Sequence, residues 1–213
     1  MAEFINTVDV LGDDAVIDSL IERTITEFKD DKVTIIGYGA LALCKELKNV
    51  DIPNVTTLQS DAIKGCDSLE TVYAPNVVSV GSGGLQDNIA LQSICLPKAK
   101  TILANALRQC YALEYAELPE VQSFGGYVFE SDLALKAVVI RQVNTVPTTT
   151  TTTFHYMYGS GISKGTGHVY VPSAMVARYK AATNWSVYAS QIRALEDYTV
   201  DGTVTGELDK TKI

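Results

Sequence analysis

Three of the four cysteines recur in step with a 22-residue interval, and such a column of thiols could do chemistry. Cys44, Cys66 and Cys110 share this spacing, and Asn88 and Asp132 occupy the remaining positions of the series. Stacked thiolates could bind a metal or form disulfides, but no CxxC pair exists, and an amide and a carboxylate share the column. We therefore predict a buried structural position, where a small side chain meets the backbone of the adjoining segment, and no metal site.

The remaining cysteine, the two histidines and the glycine clusters likewise lack the neighbouring residues that a catalytic or phosphate-binding site needs. Cys95 lies outside the cysteine column, and no neighbouring residue in the sequence would activate its thiol. His155 and His168 stand thirteen residues apart, and neither an HExxH nor a GxSxG motif is present. Residues 81–84 and 125–126 are rich in glycine but lack the Lys-Ser/Thr of a phosphate loop, so turns are predicted there. The sequence predicts no catalytic residue and no cofactor.

An aromatic segment beside the first histidine is open to two interpretations. His155, Tyr156 and Tyr158 could form a patch that binds a ligand, or they could cover the open end of a hydrophobic core. The second interpretation is favoured, because a core built from stacked repeats needs a cover at its end.

The elements that position these residues follow from an internal repeat. Five segments of 22 residues run without a gap over residues 33–142. Three apolar columns and one proline column recur in them: Leu47, Leu69, Leu91, Leu113 and Leu135; Ile36, Leu58, Val80, Ile102 and Phe124; Leu41, Ile63, Leu85, Leu107 and Phe129; and Pro53, Pro75, Pro97 and Pro119, with Arg141 in the last place. No segment can bury such columns alone, so the segments must stack.

Each repeat predicts three physical parts. A short β-like run, such as residues 55–58, leads through a polar turn into about one helical turn of small and apolar residues. Residues 69–74 then alternate apolar and polar side chains as a strand does, and proline ends the strand. Stacking predicts an α/β repeat fold, a solenoid of five coils with a parallel β-sheet on one face, roughly 25 Å long.

The consensus of the repeat, I-G-x-x-A-[LF]-x-x-C-x-x-L-x-x-V-x-[LI]-P, resembles the BspA-type leucine-rich repeat. In the first coil it is carried by Ile36, Gly37, Ala40, Leu41, Cys44, Leu47, Val50, Ile52 and Pro53. The resemblance covers roughly half of the chain and implies a leucine-rich-repeat-like solenoid. It implies function only weakly, because such repeats are general recognition scaffolds.

The open ends of the stack are predicted to carry caps. Residues 1–32 are assigned an amphipathic helix at residues 13–23, and then a half-coil strand around Phe28 that closes this end. The same segment is the expected point of attachment or oligomerisation.

Residues 143–196 are assigned to a C-terminal α/β cap. It contains a β-favouring threonine run at residues 148–153, a glycine-rich loop and a last strand at residues 168–172. Ser173 is predicted to cap a helix, and a second short helix is predicted to carry Ile192 and Leu195. Residues 197–213 form a polar tail, which is either a hairpin around residues 201–202 or an extended arm.

The outward side chains on the final strand of each coil form the predicted working surface. Stacking places tyrosines and carboxylates of adjacent coils within contact distance. The candidate binding residues are Asp51, Tyr73, Cys95, Tyr115, Glu117 and Val139. An ordinary solvated sheet face is the alternative, and the sequence does not choose between the two.

Charge and hydropathy exclude several classes of function. The net charge of −8, from 17 basic and 25 acidic residues, supplies no basic face, so no nucleic-acid partner is expected. No stretch approaches the ~18 apolar residues that cross a bilayer, so no membrane insertion is expected. The first residues lack the pattern of a signal peptide, which predicts a protein that stays in the cytoplasm or leaves it by another route.

Residues 4–14, the repeats and the closing element together resemble proteins found among phage tail genes and prophages of gut Gram-positive bacteria. The resemblance implies a non-catalytic virion component, assembled in the host cytoplasm, that binds other virion proteins or a host-surface receptor, protein or polysaccharide. It also implies a homo-oligomer, a trimer being usual in fibre-like proteins. The alternatives are a fragment of a bacterial surface adhesin that binds host protein, and a carbohydrate-active enzyme, which would need an acid pair in a cleft.

Overall fold

The computed structural model describes residues 23–155 and 157–197 with their side chains, and the backbone of four further short strands. In chain order the strands are Glu3–Phe4 (β1), Val10–Leu11 (β2), Glu27–Lys29 (β3), Ile35–Ile36 (β4), Asn49–Asp51 (β5), Thr57–Leu58 (β6), Thr71–Tyr73 (β7), Ser79–Val80 (β8), Ser93–Cys95 (β9), Thr101–Ile102 (β10), Tyr115–Glu117 (β11), Ser123–Phe124 (β12), Ala137–Val139 (β13), His168–Val171 (β14), Ile192–Ala194 (β15), Thr199–Val200 (β16) and Thr203–Val204 (β17). All pairings among β1–β15 are parallel, so the chain winds into a solenoid.

Each coil has three sides, which we call the front strand, the back strand and the turn side. Front strands pair residues that lie 22 apart, as Asn49 with Thr71 and Tyr115 with Ala137. Back strands β4 to β12 do the same, and β2 completes this sheet of six by pairing with β4 at a spacing of 25 residues. The predicted five-coil register is therefore confirmed. The front strands form two sheets, because the ladder from β1 to β7 stops there and a second ladder begins at β9.

The turn side is not the helical turn that the sequence predicted. It is a run of turns in which residues of one coil donate to the next coil, as Leu41 N–H does to the Ala62 carbonyl at 2.8 Å. Each coil holds two residues at positive φ here, such as Gly39 (+61°) and Leu43 (+61°). A helix would direct its hydrogen bonds along one coil, whereas these turns join neighbouring coils and continue the ladder around the solenoid.

The predicted apolar columns form one continuous core. Leucines of the first column, such as Leu47 and Leu113, are fully buried, as are the back-strand residues Ile36 and Leu58. Successive coils place an apolar side chain at each equivalent position. Each coil therefore needs its neighbours to bury its part of the core.

The N-terminal half-coil is confirmed as a strand, since Phe28 of β3 pairs with Val50 of β5. It does not close the stack, however. Phe4 of β1 pairs with Phe28, and Leu11 of β2 pairs with Ile36, so a further turn precedes the half-coil. The helix predicted at residues 13–23 lies outside the described residues, apart from Arg23.

Beyond the fifth coil the winding continues. Thr148 pairs with Ser123 at the back, and β14 pairs with β13 at the front, which makes a sixth turn. The threonine run therefore contributes one bridge and a turn. The strand predicted as the last is followed by β15, whose Ile192 pairs with Val169 on the outer side of β14.

The cap helices differ from the prediction in two details. The helical segments are Ser173–Met175 (3₁₀), Val176–Ala181 (α1), Ser186–Gln191 (3₁₀) and Leu195–Asp197 (3₁₀). Ser173 caps no helix, because its hydroxyl donates to Glu196 at 3.3 Å. Ile192 is not helical, because its buried side chain continues the core column and its backbone pairs in the front sheet. Leu195 belongs to the separate last 3₁₀ turn.

Of the two alternatives for the tail, a hairpin or an extended arm, the backbone forms the hairpin. Strands β16 and β17 are antiparallel, with Thr199 opposite Val204 and Val200 opposite Thr203. The rest of the tail, from residue 205 onwards, lies outside the described residues.

Candidate functional site

The cysteine column is a hydrogen-bonded ladder inside the solenoid. Cys66, Asn88 and Cys110 each donate from the side chain to the carbonyl oxygen 25 residues earlier, at 3.1, 2.8 and 3.3 Å. The Cys66 N–H donates to Asn88 Oδ1, and the Cys110 N–H to Asp132 Oδ1, both at 2.9 Å. The predicted contact between a small side chain and the backbone of the adjoining coil is confirmed.

All four cysteines are free thiols. Burial raises the pKa of Cys110 well above its ordinary value, so this thiol is neutral and a poor nucleophile. Cys95 lies half-buried on β9, where burial and the Glu117 carboxylate raise its pKa to about 11. Cys66 and Cys110 therefore serve packing and hydrogen bonding.

The front face near the N-terminal end consists of polar side chains that satisfy one another. Lys29 Nζ lies 3.0 Å from Asp51 Oδ2 in an ion pair. Thr71 donates to Asn49 at 2.7 Å, and Asn49 donates to Glu27 at 3.4 Å. These contacts run up the ladder from coil to coil, as expected of an ordinary solvated sheet face.

The front face near the C-terminal end is covered. Ala137 and Val139 are each only 1% exposed, and Tyr115, Tyr170 and Leu195 pack against them. Leu195 comes from the last 3₁₀ turn, so the end of the chain folds over the sheet. Val139 therefore does not belong to the exposed surface on which it was predicted.

Glu117 likewise does not lie on the exposed surface for which it was predicted. Its carboxylate is buried and accepts a hydrogen bond from Arg141 Nε at 2.8 Å. Arg141 stands where the other coils have proline, which explains the one break in that column. Of the residues predicted on the front face, Tyr73 is the most accessible, at 59%, and it lies beside the interruption between β7 and β9.

His155 and Tyr158, two of the three residues predicted to cover the open end of the core, do not cover it. His155 and Tyr158 are exposed, and Tyr156 lies outside the described residues. The open end is covered instead by Phe154, whose ring stacks on Phe129 at 5.2 Å, and by Trp185 at 6.0 Å from Phe154. The second histidine lies on the front strand β14.

Another exposed surface runs along the corner between the turn side and the front strands. The residue directly after each ladder position points outward, and in the first two coils it is Lys45 and Asp67, whose side chains form an ion pair of 2.7 Å. In the next three coils it is Ile89, Tyr111 and Leu133, which are 42%, 48% and 48% exposed. We call these three residues the corner stripe.

Paired charges flank the corner stripe. On the turn side Arg108 Nε lies 2.6 Å from Glu130 Oε2, and on the strand side Lys136 Nζ lies 2.8 Å from Glu114 Oε2. Partly exposed alanines follow each stripe residue at positions 90, 112 and 134. The centre of this surface is apolar, and its rim is charged but neutralised by ion pairs.

The sixth turn extends the apolar corner. Met157 and Tyr158 are 71% and 61% exposed, and they directly precede Gly159. The Gly159 carbonyl accepts the Ser131 N–H at 2.6 Å, two residues from Leu133. Tyr158 of the predicted patch therefore lies near one end of the corner stripe, together with Met157.

Sequence reasoning overlooked the corner stripe although its signal is present in the repeats. Position 13 of the five segments reads Lys, Asp, Ile, Tyr, Leu. A column that changes from charged to apolar at an exposed position is informative, but exposure could not be assigned while the turn side was assumed helical.

Within residues 23–155 and 157–197, no three His, Cys, Asp or Glu side chains come together as metal ligands. No helix in that part of the chain is long and apolar enough to cross a membrane.

The model of the BspA type leucine-rich repeat region matches residues 18–157 in six copies. The chain belongs to this family. Proteins built from such repeats typically have no catalytic activity, and a role in surface adhesion or protein binding is characteristic of BspA-like members. No curated protein matches the chain in sequence.

Solved structures support the same fold. A leucine-rich repeat protein from Bacteroides ovatus is 20% identical with a TM-score of 0.51, over 70% of this chain and 40% of that one. The pneumococcal vaccine antigen PcpA is 15% identical with a TM-score of 0.60, over 80% of this chain and 40% of that one. This chain thus corresponds to 40% of the length of either protein.

Proposed function

We propose that the chain is a non-catalytic protein-binding module in adhesion, and that the corner stripe is its binding surface. The proposal depends on the change along one column from the Lys45–Asp67 ion pair to Ile89, Tyr111 and Leu133. Exposed apolar side chains on three successive coils do not serve the core, and contact with a partner would remove them from water.

The stripe also has the composition of an interface. A tyrosine stands at its centre with aliphatic residues on both sides, and aromatic anchors carry much of the energy at protein interfaces. Because the flanking charges are already paired, the surface suits a protein with apolar side chains of its own better than a charged polymer.

The test compares the binding of the fluorescently labelled full chain to intact Gram-positive bacteria and to intestinal epithelial cells. We expect Tyr111→Glu and Leu133→Lys to weaken binding tenfold or more, since losing an interface anchor costs about 2 kcal/mol. Tyr73→Glu is the matched control, because Tyr73 is also an exposed tyrosine, at 59% against 48% for Tyr111, but lies on the front face. Protease treatment of the cells should abolish binding if the partner is protein.

Two results would contradict the proposal. Binding that falls in Tyr73→Glu and not in Tyr111→Glu would move the surface back to the front face. Absence of binding to either cell type would remove the role in adhesion.

Two finer proposals follow from the cell type that is bound. Binding to bacteria supports a tail or tail-tip component of a phage virion, as the resemblance of residues 4–14 and the repeats suggested. Binding to epithelial cells supports a surface adhesin that binds host protein. Sedimentation of the chain alone tests the self-association that a fibre-like virion protein requires, and a monomer at high concentration would argue against it.

A further inference from the structure

Asp132 is a carboxylic acid at a position where the other described coils place a neutral donor. It follows Cys44, Cys66, Asn88 and Cys110 in the ladder, and its side chain is fully buried. Its Oδ1 accepts the Cys110 N–H at 2.9 Å, just as Asn88 Oδ1 accepts the Cys66 N–H.

In the register of the ladder, the second oxygen of Asp132 corresponds to the atom that carries the hydrogen in Cys66, Asn88 and Cys110. Cys66, Asn88 and Cys110 all donate to the carbonyl 25 residues earlier, and for Asp132 that carbonyl belongs to Leu107. Asp132 Oδ2 is buried and has no hydrogen-bond partner among the described residues. An ionised carboxylate facing that carbonyl oxygen would leave two acceptors opposed in a fully buried site, which is strongly unfavourable.

We propose that Asp132 is a proton-binding site, and that in the folded protein at neutral pH Oδ2 carries a proton and donates it to the Leu107 carbonyl. The protonated acid then reproduces the hydrogen bonds of Asn88, accepting through one oxygen and donating through the other.

The charges around the site support this assignment. Glu130, on the same coil, is also buried, and its Oε2 lies 2.6 Å from Arg108 Nε. Cys110, from the preceding coil, is a neutral thiol. Residues 159–163, from the following turn, contain no ionisable side chain. Arg108 forms its ion pair with Glu130, and no ion pair to Asp132 is found among the described residues.

Burial, together with the nearby Glu130 carboxylate, raises the pKa of Asp132 well above its ordinary value, although the Cys110 N–H opposes this shift. An unfolded chain has the ordinary pKa, near 4. Above that pH folding must take up a proton, so the stability contributed by Asp132 is complete at low pH and is lost as pH rises towards the folded pKa.

The site lies where the fifth coil meets the sixth turn. The Gly161 N–H donates to the Asp132 carbonyl at 3.0 Å, and the Ser131 N–H donates to the Gly159 carbonyl. Proton release would therefore weaken the attachment of the sixth turn first.

The experiment measures urea unfolding of the full chain between pH 5 and pH 8 for the wild type, Asp132→Asn and Asp67→Asn. Asparagine keeps the donor and binds no proton. We expect the unfolding constant of the wild type, relative to Asp132→Asn, to rise about tenfold per pH unit until the folded pKa is reached. Asp67 is partly exposed and lies at the surface, so Asp67→Asn should follow the wild type.

Infrared spectroscopy gives a direct second readout. The wild type should show the carbonyl band of a protonated carboxylic acid at pH 7, and Asp132→Asn should lack it. If Asp132→Asn does not fold, Asp132→Cys replaces it, since the ladder already contains cysteine. Parallel pH profiles and no such band would overturn the proposal, as would a band lost in Glu130→Gln and kept in Asp132→Asn. These readouts involve no binding, so they fail or succeed independently of the proposed function.

Discussion

Two residues in each of the five coils are held at positive φ, and only Gly39, Gly65 and Gly83 among these ten positions are glycines. The others include Leu43 and Tyr127, whose side chains make this conformation costly. Hydrogen bonds between coils offset this conformational cost, because each of these residues aligns the N–H groups around it with carbonyls of the next coil. Local conformation here is decided by contacts between coils.

Gly39 allows the backbone cost to be measured alone. Its φ is +61°, and no atom lies within 4 Å of the position that a Cβ would take. We expect Gly39→Ala to lower the free energy of unfolding by about 1 kcal/mol, and Gly39→Asn to lower it less, because asparagine tolerates this region. Urea unfolding of the three proteins checks this, and equal stability of all three would show that the turn relaxes.

At the scale of elements, the C-terminal cap closes the end of the solenoid with side-chain hydrogen-bond donors as well as with apolar side chains. Trp185 Nε1 donates to the Pro147 carbonyl at 2.7 Å, Asn184 to the Thr149 carbonyl at 2.7 Å, and the Tyr188 hydroxyl to the Thr151 carbonyl at 2.5 Å. Alternate carbonyls from Pro147 to Thr151 are thus satisfied by side chains where no further back strand follows.

Removal of one of these donors should loosen the cap by a small, measurable amount. We expect Tyr188→Phe to cost about 1 kcal/mol, because the ring is kept in the core and one hydrogen bond is lost. Tyr158→Phe is the matched control, since Tyr158 is exposed, and it should leave stability unchanged. Thermal unfolding distinguishes them; a loss of similar size in both variants would contradict this account of the cap.

The sequence predicts coils better than caps, for a physical reason. Columns spaced at 22 residues determine which side chains stack on one another in successive coils. Strands β5 to β13 and the hydrogen-bonded ladder that contains Cys66 therefore follow from the spacing alone. No 22-residue spacing in the sequence predicts strand β15, because helical segments separate it from β14 and its pairing depends on tertiary contact. The burial of Val139 could not be predicted from the sequence either, because it depends on a later segment that folds back over the sheet.

At the scale of the whole molecule, stability is shared between neighbours, so a coil is a unit that can be removed. Deletion of residues 99–120 takes out one 22-residue period and keeps every column in register. We expect that variant to unfold cooperatively, at a lower temperature because its core is shorter.

Deletion of residues 99–119 is the control, with one residue fewer removed. It shifts each later column by one position and turns inward side chains outward, so no cooperative transition is expected. Circular dichroism during heating measures both variants. Equal melting of the two would mean that the coils do not depend on the 22-residue register.

The single tryptophan gives the solenoid an internal optical probe at one end. Trp185 is the only residue of its type in the chain, and it is buried against Tyr179 and Phe154. Its fluorescence therefore reports the state of the C-terminal cap, whereas circular dichroism averages over all coils. Opening of the terminal turn and loss of the repeats can thus be followed separately in the unmodified protein, without an attached dye.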